Sequence, residues 1–187
     1  MTFFQMTCSI LTALSLASVS GIRAFLPLAV LGLSARLGWI HLQPDFGWLK
    51  GGLLLVLLGF AALVELTVWF VEDWRKVLGI LMSPLCLAAA SLTATALIPV
   101  NPVSLRWAIG AVSAGAMAAV FRLSILIPAL NPLRNRGKGT VPILTLWAVL
   151  WIPLSIYVPV IPGILSLCAA SWQGGRLIRW YYGLSRI

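Results

Sequence analysis

Residues 53–71 read LLLVLLGFAALVELTVWFV, a stretch whose only charge is Glu65. Its length matches the ~20 apolar residues that carry a helix across the ~30 Å hydrocarbon core of a bilayer. Lipid offers no water to stray N–H and C=O groups, so only helices and closed barrels span it. Barrel strands alternate apolar and polar positions over roughly ten residues. This stretch does not alternate and is far longer, so it reads as a transmembrane helix.

The rest of the chain has the same character. Of its 187 residues, 61% are hydrophobic and 9% are charged, and the mean hydropathy is +1.04. A soluble domain carries about 25% charged residues, so this chain lacks the polar groups to cover a water-facing surface. The net charge of +9 does not point to nucleic acid. The basic residues are scattered between apolar runs, with no basic stripe interleaved with aromatics. They suit orientation in the bilayer and contact with anionic lipid heads. Cys8, Cys86 and Cys168 lie in apolar runs without CxxC spacing, so neither a disulfide nor a metal site is expected.

Working outward from 53–71, a first span is expected at 3–21. MTFFQMTCSI (1–10) lacks the basic start of a signal peptide, so it reads as part of a retained span. A shorter helix is expected from about Phe25 to Trp39, with Pro27 in its first turn. At ~20–24 Å it is short of a full crossing, and either crosses or re-enters. HLQPDFGWLKGG (41–52) reads as a loop and EDWRK (72–76) as a polar turn. Further spans follow at about 77–98, with a kink at Pro84, and at 105–128, 140–158 and 163–181. PVNP (99–102), NPLRNRGKG (131–139) and PVIP (159–162) separate them. The fold class is therefore all-α, a polytopic transmembrane helix bundle of six full spans plus one short or re-entrant helix after the first span. It forms a single integral membrane domain over 1–187. SLASVSGIR (15–23) and AGAMAAVFR (114–122) are both small-residue runs ending in arginine, a weak sign of an internal repeat of 1–98 and 105–187.

If each span crosses once, Arg75, Lys76, Arg134, Arg136, Lys138, Arg176, Arg179 and Arg186 fall on one side, and Lys50 and Arg106 on the other. Cytoplasmic loops carry the excess of Lys and Arg, so the C-terminus is expected in the cytoplasm. The N-terminus is then outside if the short helix crosses and inside if it re-enters.

Arg23, Glu65 and Arg122 stand out. Each lies inside an apolar span or at a broken end, where a charge costs roughly 2.5–3.5 kcal/mol and must face protein or water. Glu65 is seven residues before Glu72, about 10 Å deep, and Arg122 is nine before Asn131, about 13 Å deep on the same side. A Glu65–Arg122 pair with Arg23 nearby leaves one positive charge in surplus. Gly110, Ala114, Ala118 and Arg122 are four apart, so they share a helix face. Ser9, Ala13, Ala17 and Gly21 do the same, and such small-residue stripes let helices approach closely. One reading makes Glu65 and Arg122 a structural pair. Another makes Arg23, Arg122 and Glu65 a site for an anion or a lipid phosphate, beside the free N–H groups of the helix after Gly21.

His41, the single histidine, sits in a loop, and no HExxH, GxSxG, Walker A or paired-carboxylate spacing appears. No enzyme, cofactor or metal is expected. Membrane lipids are the expected partners, with other membrane subunits or further copies of the chain, and not nucleic acid.

SGIRAFLPL (20–28), LGLSARLGW (31–39), the mid-helix Glu65, Ser83-Pro84 and the small-residue span ending at Arg122 together resemble a family of small bacterial membrane proteins, domain of unknown function 4126. The chain departs from that pattern at WFVEDWRK (69–76), which lacks the family's proline and some of its spaced aspartates. The resemblance implies a bacterial inner, or equivalent energy-transducing, membrane and carries no activity with it. Two functions are expected from the residues. One is a permease- or channel-like protein handling an anion or phosphate-bearing lipid through its intramembrane Arg/Glu cluster. The other is a non-catalytic accessory or assembly subunit of a larger membrane complex.

Overall fold

The computed structural model describes the backbone of residues 3–68, 72–130 and 137–184, and the side chains within these except at 72–79, 124–130, 137–145, 180, 181, 183 and 184. The described helices are α1 (Phe3–Ser20), α2 (Phe25–Arg36), α3 (Gly52–Val68), α4 (Glu72–Leu97), α5 (Val103–Leu130), α6 (Gly137–Tyr157) and α7 (Val160–Leu184). A short 3₁₀ helix, Pro44–Lys50, lies between α2 and α3.

The boundaries follow local chemistry. The 41–52 segment, expected as open loop, winds from Pro44, whose ring presets a helical φ. EDWRK is not a turn but the start of α4; acidic residues such as Glu72 and Asp73 suit the positive end of a helix dipole. Pro84 lies inside α4, which continues through it. The basic loop expected at 131–139 is helical from Gly137 onward, and its 131–136 part lies outside the described residues.

Among the described residues, three helical stretches are long and apolar enough to cross a membrane: Phe3–Ser20, Ile80–Leu97 and Val103–Leu123. The 3₁₀ helix and α3 qualify as a fourth only when taken together, and they are bent by 67° at their junction. α2, with 12 residues, is apolar but short, and of the 21 residues of α6 only Leu146–Tyr157 are among those with described side chains. The second half of α7 holds Gln173, Arg176 and Arg179, and α7 is not among the three. The chain is thus a helical membrane protein; among the described residues three or four stretches have the length and composition of spans, and the six full spans expected from the sequence are not all found among them.

α1 is the hub, packed against α2, α4, α5, α6 and α7. From Thr12 to Ala24 every residue but Leu14 is buried. Its serines and alanines, with Gly21 just past its end, let five neighbours come close, because small side chains bring helix axes together where lipid gives no hydrophobic drive. Antiparallel to α1, α2 runs back so that Trp39 and Gln43 reach the end where Phe4 and Gln5 begin the chain. At this first end the Gln43 N–H donates to the Ala96 carbonyl at the close of α4 (3.0 Å), and the Trp39 ring lies tilted against Tyr157 of α6 with centroids 5.8 Å apart. At the opposite end the α1–α2 junction meets Glu65 of α3 and residues 118–121 of α5. α4 and α5 form the most extensive helix pair. They are drawn together at Gly110, where a β-carbon would lie 2.5 Å from Thr95 Oγ1.

Hydroxyls stitch α1 to α6 and α7. Ser15 and Ser155 share a hydrogen bond of 2.5 Å, and Ser18 and Ser166 one of 3.2 Å. Trp151 Nε1 donates to Ser166 Oγ (3.1 Å). Ser15, Ser18, Ser155 and Ser166 are all 0% exposed and need hydrogen-bond partners; Ser18 and Ser155 also donate to the Ser15 and Trp151 carbonyls on their own helices.

Candidate functional site

α1 ends at Ser20, and the chain turns through Gly21 and Ile22 with their N–H groups still bonded back to Ala17 and Val19. Gly21 is required there by contact. A β-carbon on it would lie 2.5 Å from the Ala118 carbonyl oxygen and 3.0 Å from Phe121 Cβ. This approach draws the α1–α2 junction onto α5 one turn before Arg122. Ala114 and Ala118 are both 0% exposed on that face.

α2 starts at Phe25 with Ala24 before it, and Ala24 has no side-chain cap to offer. Its first N–H groups are orphan donors, and Glu65 from α3 takes two of them. The Ala24 N–H donates to Oε1 (2.9 Å) and the Phe25 N–H to Oε2 (3.1 Å). A carboxylate in this position completes the helix end and complements its dipole. Arg23 Nη1 donates to the backbone carbonyl of Glu65 (3.4 Å). Arg122 Nε donates to Ser83 Oγ on α4 (3.3 Å). Arg23 and Arg122 are each 2% exposed and Glu65 is 3% exposed.

The structure therefore brings Arg23, Glu65 and Arg122 into one buried cluster, and the three charges act on one another. Both carboxylate oxygens of Glu65 go to the backbone of α2, and the charge of Arg122 reaches Glu65 through space. Cys86 (0% exposed) packs with Ala24, Leu28 and Ala89 beside this cluster. Two guanidinium groups stand against one carboxylate among the described side chains, within a setting of Ser, Ala and Cys. Such a setting suits recognition of an oxyanion, which Arg contacts through a planar fork.

A second polar centre lies at the first end of the bundle around Arg106, which in the sequence counts only as a charge on the side opposite the basic excess. Arg106 is 2% exposed at the start of α5. It donates through Nη1 to Gln43 Oε1 (2.9 Å) and pairs through Nη2 with Asp45. It thereby pins the 3₁₀ segment over the α4–α5 connection. Beside it, a cleft of about 530 Å³ lies between the start of α1 and residues 39–43. His41 lines this cleft. The signals were present as i, i+3 hydroxyls in α1 and as Gln43 and Asp45 in an otherwise apolar neighbourhood. Their partners, however, lie more than 60 residues away.

The family model described as domain of unknown function (DUF4126) matches residues 10–173. No curated protein and no solved structure matches the chain.

Proposed function

The chain belongs to the family described as domain of unknown function (DUF4126), and we propose that it is a permease- or channel-like membrane protein handling an anion or a phosphate-bearing lipid. The observation that carries this reading is the seat of Glu65 on the two N–H groups that open α2, with buried Arg23 and Arg122 acting on it. A helix N-terminus beside arginine is a general anion site. In this protein a tethered carboxylate fills it. A mobile anion presents the same oxygens to the same donors, so it competes with Glu65 for the seat. Glu65 then keeps the site neutral enough to remain in lipid when no anion is bound, and moves aside when one arrives. The excess of Lys and Arg in 72–76, 131–139 and the C-terminal segment supports setting this end of the bundle at the cytoplasmic face of a bacterial inner membrane.

The second reading is a non-catalytic accessory subunit held together by the same cluster. The full use of both Glu65 oxygens by the backbone favours it. Flux of halide and phosphate in proteoliposomes separates the two, with Arg23→Lys as the probe. Lysine keeps the charge but loses the planar two-point contact. The permease reading expects flux in the unmodified protein and at least about a tenfold loss in a folded Arg23→Lys, equal to ~1.4 kcal/mol of lost oxyanion binding. The subunit reading expects no flux in either.

A further inference from the structure

The cleft at the first end of the bundle lies some 16 Å along α1 from the charged cluster, as the eleven residues from Thr12 to Arg23 imply. We propose that it is a separate binding site for an uncharged amphiphile whose head accepts hydrogen bonds, such as a quinone ring or a neutral sugar.

Its volume, about 530 Å³, falls within the ~300–1,000 Å³ of small-molecule sites. Among the described residues no Asp, Glu, Lys or Arg lines it, although the chain carries a net charge of +9. An ionised head would meet no counter-charge among these side chains, which disfavours it to the extent that the cleft takes it out of water. The polar lining is Gln5, Ser9, Thr12, His41 and Gln43, and Trp39, Leu42, Leu97 and Ile156 add apolar wall. A few polar groups set in an apolar wall are what orient a bound amphiphile.

The orientation of Gln43 sharpens the ligand class. Arg106 has only donors, so the Gln43 atom 2.9 Å away must be the carboxamide oxygen. The amide NH₂ is thereby the half left to donate toward a ligand. Thr12, at the floor, already donates to the Cys8 carbonyl (2.8 Å). The head that fits offers acceptor oxygens. Its tail has an apolar way out past Phe4, Leu37 and Trp39, which are 70%, 53% and 57% exposed.

The test is equilibrium binding to the full chain in phosphatidylcholine nanodiscs. One probe is a short-tailed ubiquinone analogue and the other an alkyl maltoside, with an alkyl phosphate and an alkyl trimethylammonium as charged comparators. The proposal expects saturable binding of at least one neutral probe, and the probe that binds identifies the head group. His41→Leu, an exposed position that leaves the packing intact, should weaken binding at least about tenfold, as should Ser9→Trp, which fills the cleft. Charged comparators that bind as well as the neutral probes would overturn the proposal. So would non-saturable partitioning of both neutral probes, or affinity unchanged in folded His41→Leu.

Discussion

Replacing Glu65 by glutamine removes one charge and changes almost nothing in volume. Glu65 accepts two backbone N–H bonds, at 2.9 and 3.1 Å, in a position 3% exposed. Hydrogen bonds to a charged group contribute ~1.5–3 kcal/mol each. Glutamine keeps one acceptor oxygen but turns an NH₂ toward the other donor, so one bond is lost and one weakened. Arg23 and Arg122 also lose the carboxylate that balances them, and breaking a buried charged set costs ~3–5 kcal/mol. These figures count overlapping interactions, so a net loss of ~3 kcal/mol is expected. For a chain of this size ~1 kcal/mol corresponds to about 2–4 °C in Tm, so Glu65→Gln should melt about 6–12 °C lower in a fixed detergent. Circular dichroism at helical wavelengths is the assay. Glu65→Asp retains the charge at a shorter reach and should fall between the two. A Glu65→Gln protein that melts within about 1 °C of the unmodified one would show that the carboxylate does not hold the α1–α2 junction.

Three further outcomes follow from the packing. Gly21→Ala forces a β-carbon against the Ala118 carbonyl and should cost ~1–3 kcal/mol by overpacking; Gly47→Ala, with nothing within 4 Å of its β-carbon, should leave Tm within about 1 °C. A double-mutant cycle on Ser15→Ala and Ser155→Ala should return a coupling of ~0.6 kcal/mol, the usual size for hydrogen bonds between membrane helices, and zero coupling would mean that the 2.5 Å contact contributes nothing. Arg106→Met should speed amide exchange over residues 41–50, because Gln43 and Asp45 lose their anchor; exchange there that matches the unmodified protein would leave Arg106 without that role.

The helix order was legible because apolar runs and proline breaks are local signals. Residues 53–68 announce an apolar helix on their own, residues 69–71 of that stretch lying outside the described residues, and PVNP and PVIP mark where the chain turns. Arg23, Glu65 and Arg122 were legible for the opposite reason, since a charge in such a run must be matched by something. What matches them was not legible. The carboxylate of Glu65 goes to backbone N–H groups at Ala24 and Phe25, and backbone donors leave no mark in a sequence. The serine seam depends on how α1, α6 and α7 rotate against one another, across about 140 residues of chain. Arg106 beside a proline break looked like a surface charge because its cover, the 3₁₀ segment 44–50, comes from some 60 residues earlier. EDWRK misled because a polar cluster reads equally as a turn or as the first turn of a helix.

Glu65→Gln also vacates the seat that a mobile anion is proposed to take. The direct measurement is a structure of that variant determined in bromide, with the halide located by its anomalous signal. The anion reading predicts a bromide peak within about 3.5 Å of the Ala24 and Phe25 N–H groups, on the same side as the Arg23 guanidinium. It also predicts a weaker peak, or none, in the unmodified protein, where the carboxylate of Glu65 fills that position. A map with no halide at the start of α2 in either protein would contradict it, and would leave Glu65 as a structural cap.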